Sequence, residues 1–320
     1  MKNSNILFTG GCGFIGSNVV NYFCEKYKSS NIYNIDRIDY CSNIKNVNDY
    51  PNYMFIKGDI NSTDLINFIL NNYKIDYIIH FAAQSHVDNS FGNSLVFSKD
   101  NILGTHSLLE CSRIYGKLKK FIHISTDEVY GEVDDDTVSC EKSILNPTNP
   151  YAASKAAAEF LVRAYYISFN LPIIITRGNN VYGPRQYPEK IIPKFIEQLL
   201  DNKTMTIHGD GSSRRNFIYV DDVSSAIDII LEKGEINQIY NIGSENEYSV
   251  IDIAELLLRI IRPNYNLEDN IEHVTDRNFN DRRYAIDYTK LKLLGWQEKT
   301  NFIEGIQKTI NWIQNNKNYW

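Results

Sequence analysis

Apolar residues along this chain follow two periods, and the alternation of those periods predicts its architecture. Short apolar runs at Asn5–Thr9, Ile32–Ile35, Tyr53–Lys57, Tyr77–Phe81, Lys120–Ser125 and Pro172–Thr176 read as strands. Between them, apolar positions recur three and four apart in Ser17–Tyr27, Thr63–Asn71, Asn101–Tyr115 and Tyr151–Phe169, as in helices with one buried face. Strands alternating with helices predict an α/β fold built on a doubly wound parallel sheet.

The pattern loosens after Gly183-Pro184. Helical periods persist in Ile191–Leu200, Asp222–Lys233, Val250–Ile261 and Phe302–Gln314, but short strands and loops intervene. The expected division is a sheet domain over residues 1–183, with 217–243 returning to it through Gln238–Ile242, and a smaller lobe over 184–320. No internal repeat or linker separates the two. They should share an interface, a common place for a ligand pocket.

Composition narrows the class without naming a chemistry. The 320 residues are 43% hydrophobic and 22% charged, ordinary for a globular protein. A net charge of −6 without a Lys/Arg block argues against nucleic acid as a partner. The five cysteines, Cys12, Cys24, Cys41, Cys111 and Cys140, show no C-x-x-C spacing, which fits a reducing compartment and offers no metal cluster. Met1–Asn5 leads straight into a strand, no signal peptide is read there, and no stretch approaches membrane-spanning length, so a cytoplasmic protein is expected.

Chemistry enters with three local patterns. Gly10-x-x-Gly13-x-x-Gly16 follows a strand and opens a helix, where Gly13-Phe14-Ile15-Gly16 would bring backbone N–H groups up to a pyrophosphate. Asp36 ends the second strand about 20 residues on, in the place of a ribose-binding acid, and would repel a 2′-phosphate. That favours NAD over NADP, with Arg37 beside it as the residue that could reverse the preference. Asp59 and Ile60 either reach the adenine or belong to a turn. Ser125-Thr126-Asp127-Glu128 puts two carboxylates beside a hydroxyl at a strand's carboxyl end, where open α/β sheets bind ligands. Tyr151 and Lys155 stand one helical turn apart, and a neighbouring ammonium would favour the phenolate. Together these imply a Rossmann-like nicotinamide enzyme that also performs acid–base chemistry.

These motifs resemble the extended short-chain dehydrogenase/reductases, and within them the nucleotide-sugar 4,6-dehydratases, over essentially the whole chain. The likeness runs through His80–Asp88 (with Ala82, Ala83, Ser85 and His86), Thr126–Gly131, Tyr151–Lys155, Thr176–Pro184, His208–Gly211 and Asp281–Tyr284. It implies a mechanism. Tyr151, helped by Lys155 and Thr126, takes the 4-OH proton as hydride passes from C4 to a tightly bound NAD. Glu128 then removes H5, Asp127 protonates the leaving 6-OH, and hydride returns to C6. The activity implied is that of a lyase which regenerates its cofactor each turnover.

Within that family Gln84, Val250 and Asn280 depart from the dTDP-glucose pattern and are similar to the dehydratase domain of UDP-rhamnose synthases. UDP-glucose is therefore expected, with dTDP-glucose the alternative; a UDP-sugar epimerase and a silent NAD-binding regulator are the competing classes. The resemblance also implies Asn180, Lys190, Arg215 and Arg283 as contacts for the substrate and its diphosphate. His86 and His208 either line the pocket or are structural, and no metal is expected. A homodimer through Asn101–Tyr115 and Tyr151–Phe169 is implied, as is a separate downstream epimerase/reductase.

Overall fold

The computed structural model describes residues 3–276, 279 and 281–320. Its first half alternates as the pattern requires: β1 (Asn5–Thr9), α1 (Phe14–Lys26), β2 (Asn31–Asp36), β3 (Tyr53–Lys57), α2 (Thr63–Asn72) and β4 (Tyr77–His80). Short helices α3 (Val87–Gly92) and α4 (Ser94–Phe97) and a π-helical stretch, Ser98–Leu103, then lead into α5 (Gly104–Tyr115). β5 (Lys120–Thr126), a 3₁₀ turn at Asp127–Tyr130, α6 (Pro150–Phe169) and β6 (Ile173–Gly178) follow. The second half holds β7 (Asn180–Tyr182), α7 (Ile191–Leu200), β8 (Met205–His208), β9 (Arg214–Tyr219), α8 (Val220–Lys233), β10 (Ile239–Ile242), β11 (Glu247–Ser249), α9 (Val250–Ile261), β12 (Ile271–Val274), α10 (Thr289–Leu293) and α11 (Phe302–Asn315).

Seven strands form one sheet in the order β10-β6-β5-β4-β1-β2-β3. Every pairing in it is parallel. The strand order reverses between β1 and β4, and the crevice beyond the carboxyl ends of these strands is where such sheets bind ligands.

Burial on both faces follows from the strand alternation. Ile6, Phe8, Ile79 and Ile122 point to the side covered by α1 and α8, while Leu7, Ile78, Phe121 and Ile173 point to the side of α2, α5 and α6. Each such fully buried side chain contributes roughly 1.5–3 kcal/mol relative to exposure. A third core, with Phe195, Met205, Leu257, Phe302 and Ile306, lies among α7, α9, α11 and the small sheets β11-β9-β7 and β12-β8. The sheet positions the strand ends rigidly, and this third core forms the facing wall.

Candidate active site

A single continuous cleft of about 480 Å³ crosses the carboxyl end of the sheet and continues under α7 and α9. At one end is the glycine turn. Gly10 has a φ of +71°, and a Cβ there would sit 2.6 Å from the Ala82 backbone. A Cβ on Gly16 would lie 2.5 Å from the Gly10 carbonyl. The glycines thus let α1 begin directly against the strand ends, and the helix starts at Phe14, earlier than the expected Ser17. The unpaired N–H groups of its first turn sit where Phe14, Ile15 and Gly16 line the cleft. A dinucleotide's pyrophosphate fits this cradle.

Asp36, Asp59, Ile60, Ala82 and Ala83 line the same end. The buried Asp36 carboxylate accepts from the Cys12 and Ile38 backbone N–H groups at 2.9 and 2.8 Å, and burial pushes its pKa above the usual range. Asp59 closes a turn onto Asn61 and also lines the cleft. Arg37 is paired with acids, hydrogen-bonding Asp100 through two nitrogens at 3.0 and 2.6 Å and Asp39 at 2.6 Å.

The middle of the cleft carries Thr126, Glu128, Tyr151 and Lys155. α6 delivers the last two because Asn149 caps it, accepting from Ala152 N at 2.8 Å, and Pro150 opens its first turn. Asn149 also donates to Glu128 Oε2 at 3.2 Å. Asp127 lies one layer deeper than the cleft wall, taking a hydrogen bond from Asn179 at 2.7 Å and one from Thr126 Oγ1 at 3.2 Å. Burial raises both acids, Asp127 to about 7. Carboxyl groups so shifted can exchange protons near neutral pH.

The Tyr151–Lys155 pair departs from expectation. Burial and the nearby Glu128 and Asp127 charges push the Tyr151 phenol up, while a hydrogen bond with Thr126 pulls the other way. Lys155 Nζ donates to the Ile124 carbonyl at 2.7 Å, and burial brings its pKa down to about 8. Glu159, one turn further along α6 and paired with Arg177, favours the ammonium. Both groups are buried, and desolvation disfavours the charged form of each.

Ser85, His86, Asn180, Lys190, His208 and Arg215 all line the cleft. Lys190 Nζ reaches the Ser85 carbonyl at 2.9 Å, so the lips of the cleft touch. His86 lies 3.7 Å from Glu189 and 3.8 Å from Asp88. The Arg215 guanidinium is oriented by the Arg214 and Asp281 carbonyls at 2.8 Å and lies over the Tyr284 ring.

Arg283 is not among the residues that line the cleft: Glu247 accepts from its Nε at 2.6 Å, and the Asp134 and Thr137 carbonyls accept from its Nη1. The Gln84 amide donates to Asp39 and Asp100 at the cofactor end. Val250 does line the far end of the cleft, near Phe195, His208 and Arg215. Asn280 and its neighbour Asn278 lie outside the described residues. Asn149, Asn179, Asp100 and Tyr284 were not singled out by sequence. Only Asn149 carried a local signal, an Asn directly before a helix-opening Pro. Among the described residues no cluster of His, Cys, Asp and Glu is arranged to hold a metal, and no helix is long and apolar enough to cross a membrane.

Comparison with known proteins agrees with this geometry. Residues 7–309 match the family model described as GDP-mannose 4,6 dehydratase. A trifunctional UDP-glucose 4,6-dehydratase/3,5-epimerase/reductase of Arabidopsis thaliana is 51% identical across the whole chain, which spans 48% of that protein's length. A dTDP-D-glucose 4,6-dehydratase of Dictyostelium discoideum is 50% identical, with 98% of this chain and 82% of the relative covered. The crystal structure of the dTDP-glucose 4,6-dehydratase of Streptomyces venezuelae, with NAD bound, superposes with a TM-score of 0.94 at 36% identity, covering 99% of this chain and 98% of that one.

Proposed function

This chain belongs to the GDP-mannose 4,6-dehydratase family, and on that premise we propose that it is an NAD-dependent hydro-lyase converting UDP-glucose to UDP-4-keto-6-deoxyglucose. One observation carries the reading. Asp127 and Glu128, both with raised pKa values, adjoin Tyr151 and Thr126 in a cleft that opens onto a glycine cradle. Hydride transfer alone needs no such acid pair; loss of water does.

NAD, held by Gly10, Gly13, Phe14, Ile15, Gly16, Asp36, Asp59, Ile60, Ala82 and Ala83, supplies a hydride acceptor that becomes the donor later in the same turnover. Tyr151 takes the 4-OH proton in its phenolate form, which a charged Lys155 and the hydrogen bond with Thr126 favour. The ketone at C4 acidifies H5, which Glu128 removes. Asp127 protonates the departing 6-OH, and Thr126, on the cleft wall and bonded to Asp127, gives that proton its path. Ser85, His86, Asn180, Lys190, His208 and Arg215 hold the nucleotide sugar, Arg215 taking the diphosphate. Cofactor contacts then fall in 1–183, while sugar-nucleotide contacts are divided evenly between 1–183 (Ser85, His86 and Asn180) and 184–320 (Lys190, His208 and Arg215). The ketone produced must be consumed by an epimerase or reductase.

The UDP preference is supported by the plant relative and by the resemblance at Gln84, Val250 and Asn280. The Dictyostelium relative supports dTDP-glucose almost equally. Incubation with each sugar nucleotide separately, with products identified by mass, decides between them. A kcat/KM ratio of about 10 in favour of UDP-glucose is expected, since one methyl-sized contact discriminates by ~1–3 kcal/mol. A ratio below one moves the assignment to dTDP-glucose, and no loss of water from either removes the dehydratase reading.

The dimer is part of the same proposal. Ile114, Phe160 and Ile167 are exposed on the paired helices α5 and α6, and Leu103 at the end of the π-helical stretch before α5, apolar surface of the kind that subunits cover. A monomeric mass at micromolar concentration would exclude it. Five free thiols support a reducing, cytoplasmic setting.

A further inference from the structure

Arg37 stands one residue beyond the acid expected to hold the adenosine ribose, where a guanidinium ordinarily receives the 2′-phosphate of NADP. Here that guanidinium is already committed. Asp100 binds it through both terminal nitrogens at 3.0 and 2.6 Å, and Asp39 binds Nη2 at 2.6 Å. Asp59 lies 3.6 Å from Nη1. Two-nitrogen binding by one carboxylate is the strongest and most directional way to hold an arginine.

The surroundings are built to keep it there. Asp100 and Asn101 sit in the π-helical stretch Ser98–Leu103, and both are buried. The widened turn lets these consecutive residues both face inward, and π-turns of this kind recur at functional sites. Asn101 exchanges hydrogen bonds with the Gln84 backbone at 2.7 and 3.0 Å and donates to Ser154 Oγ at 2.8 Å, which locks the segment to α6. Gln84 completes the arrangement by donating its amide to Asp39 at 3.1 Å and Asp100 at 2.9 Å. A neutral donor suits a place where Asp36, Asp39, Asp59 and Asp100 already surround one guanidinium, all of them on the cleft wall.

We propose that Asp100 and Asp39 form a cofactor-selecting clamp on Arg37: they hold its guanidinium away from the ribose and leave this edge of the cleft negative, so that NAD is accepted and NADP refused whatever sugar nucleotide the enzyme takes. Asp36 is then only part of the selection. Asp100, distant in sequence and untouched by any glycine-motif argument, is a specificity-determining residue.

Asp100→Asn keeps the shape and removes the charge; Asp39→Asn does the same at a half-exposed site that tolerates change. The readouts are the NAD and NADP released from purified protein, by mass spectrometry, and the Kd of each by calorimetry after cofactor removal. The Kd preference for NAD should fall about tenfold in Asp100→Asn and further in the double variant, as expected for freeing one charge-assisted contact. Asp39→Asn alone should lower it about threefold, and decides the matter if Asp100→Asn does not fold. In an Arg37→Gln background the same changes should recover much less NADP affinity. An unchanged ratio in folded variants overturns the clamp. So does an equal shift with and without Arg37, since charge alone would then select.

Discussion

The two ends of the cleft treat their charges in opposite ways. At the cofactor end Arg37 is saturated by Asp100 and Asp39, and Asp36 is held by two backbone N–H groups. In the middle, buried Asp127 and half-buried Glu128 take hydrogen bonds from amide and hydroxyl donors, Asn179, Thr126 and Asn149, and the charges of Arg215 and Lys190 oppose the effect of desolvation without overcoming it. Paired charges stay ionised and position a ligand. Acids whose desolvation outweighs the cations near them hold their protons to higher pH, which is what a group that gives and takes protons requires.

The sharpest way to break this contrast is at the catalytic end. Tyr151→Phe should abolish C4 oxidation, lowering turnover by about 10²–10⁴-fold with no transient reduced nicotinamide in stopped-flow absorbance. Asp127→Asn and Glu128→Gln should lower dehydration by a similar ~10²–10⁴-fold while leaving that transient visible, because H5 becomes acidic only after the ketone forms. Full dehydration by Asp127→Asn would remove its role as the acid.

The pH profile tests the same residue without mutation. Asp127 must be protonated to donate, so kcat should fall as pH rises through about 7. Stability follows the same sign. The folded pKa lies above the unfolded one, so Asp127's contribution is whole below about pH 4 and is lost as pH rises through about 7. Asp127→Asn should therefore match the native Tm at pH 4 and exceed it by ~2–4 °C at pH 8. Equal Tm differences at both pH values would count against a raised pKa.

A smaller effect separates Arg215 from Arg283. Arg215→Ala should raise KM about 10- to 100-fold by removing a charge-assisted phosphate contact. Arg283→Ala should leave KM within about twofold and cost only stability, ~1–3 kcal/mol in chemical denaturation, because Glu247 loses the nearer of its two arginine partners and keeps Arg214. Comparable KM changes in the two would return Arg283 to the binding site.

Local pattern was enough for the elements that pack with a regular period. β1, β3, α7 and α9 occupy the spans read from hydrophobicity alone, since a half-buried strand or helix writes its period into the chain. β7, β8, β11 and β12 were not individually legible: they are three or four residues long and lie in the small sheets of the second half, outside the alternation of strands and helices that marked equally short β4 and β10. The glycine turn, the acid pair and Tyr151–Lys155 were likewise readable, being chemistry confined to a few consecutive residues or one helical turn. Tertiary structure alone decided how those groups are charged and who holds them: that Asn179 reaches Asp127 across 52 positions, that Arg283 turns to Glu247, and that Arg37 meets Asp100 from 63 residues away. Long-range electrostatics and burial have no period in a sequence, so they become visible only when the fold brings the partners together.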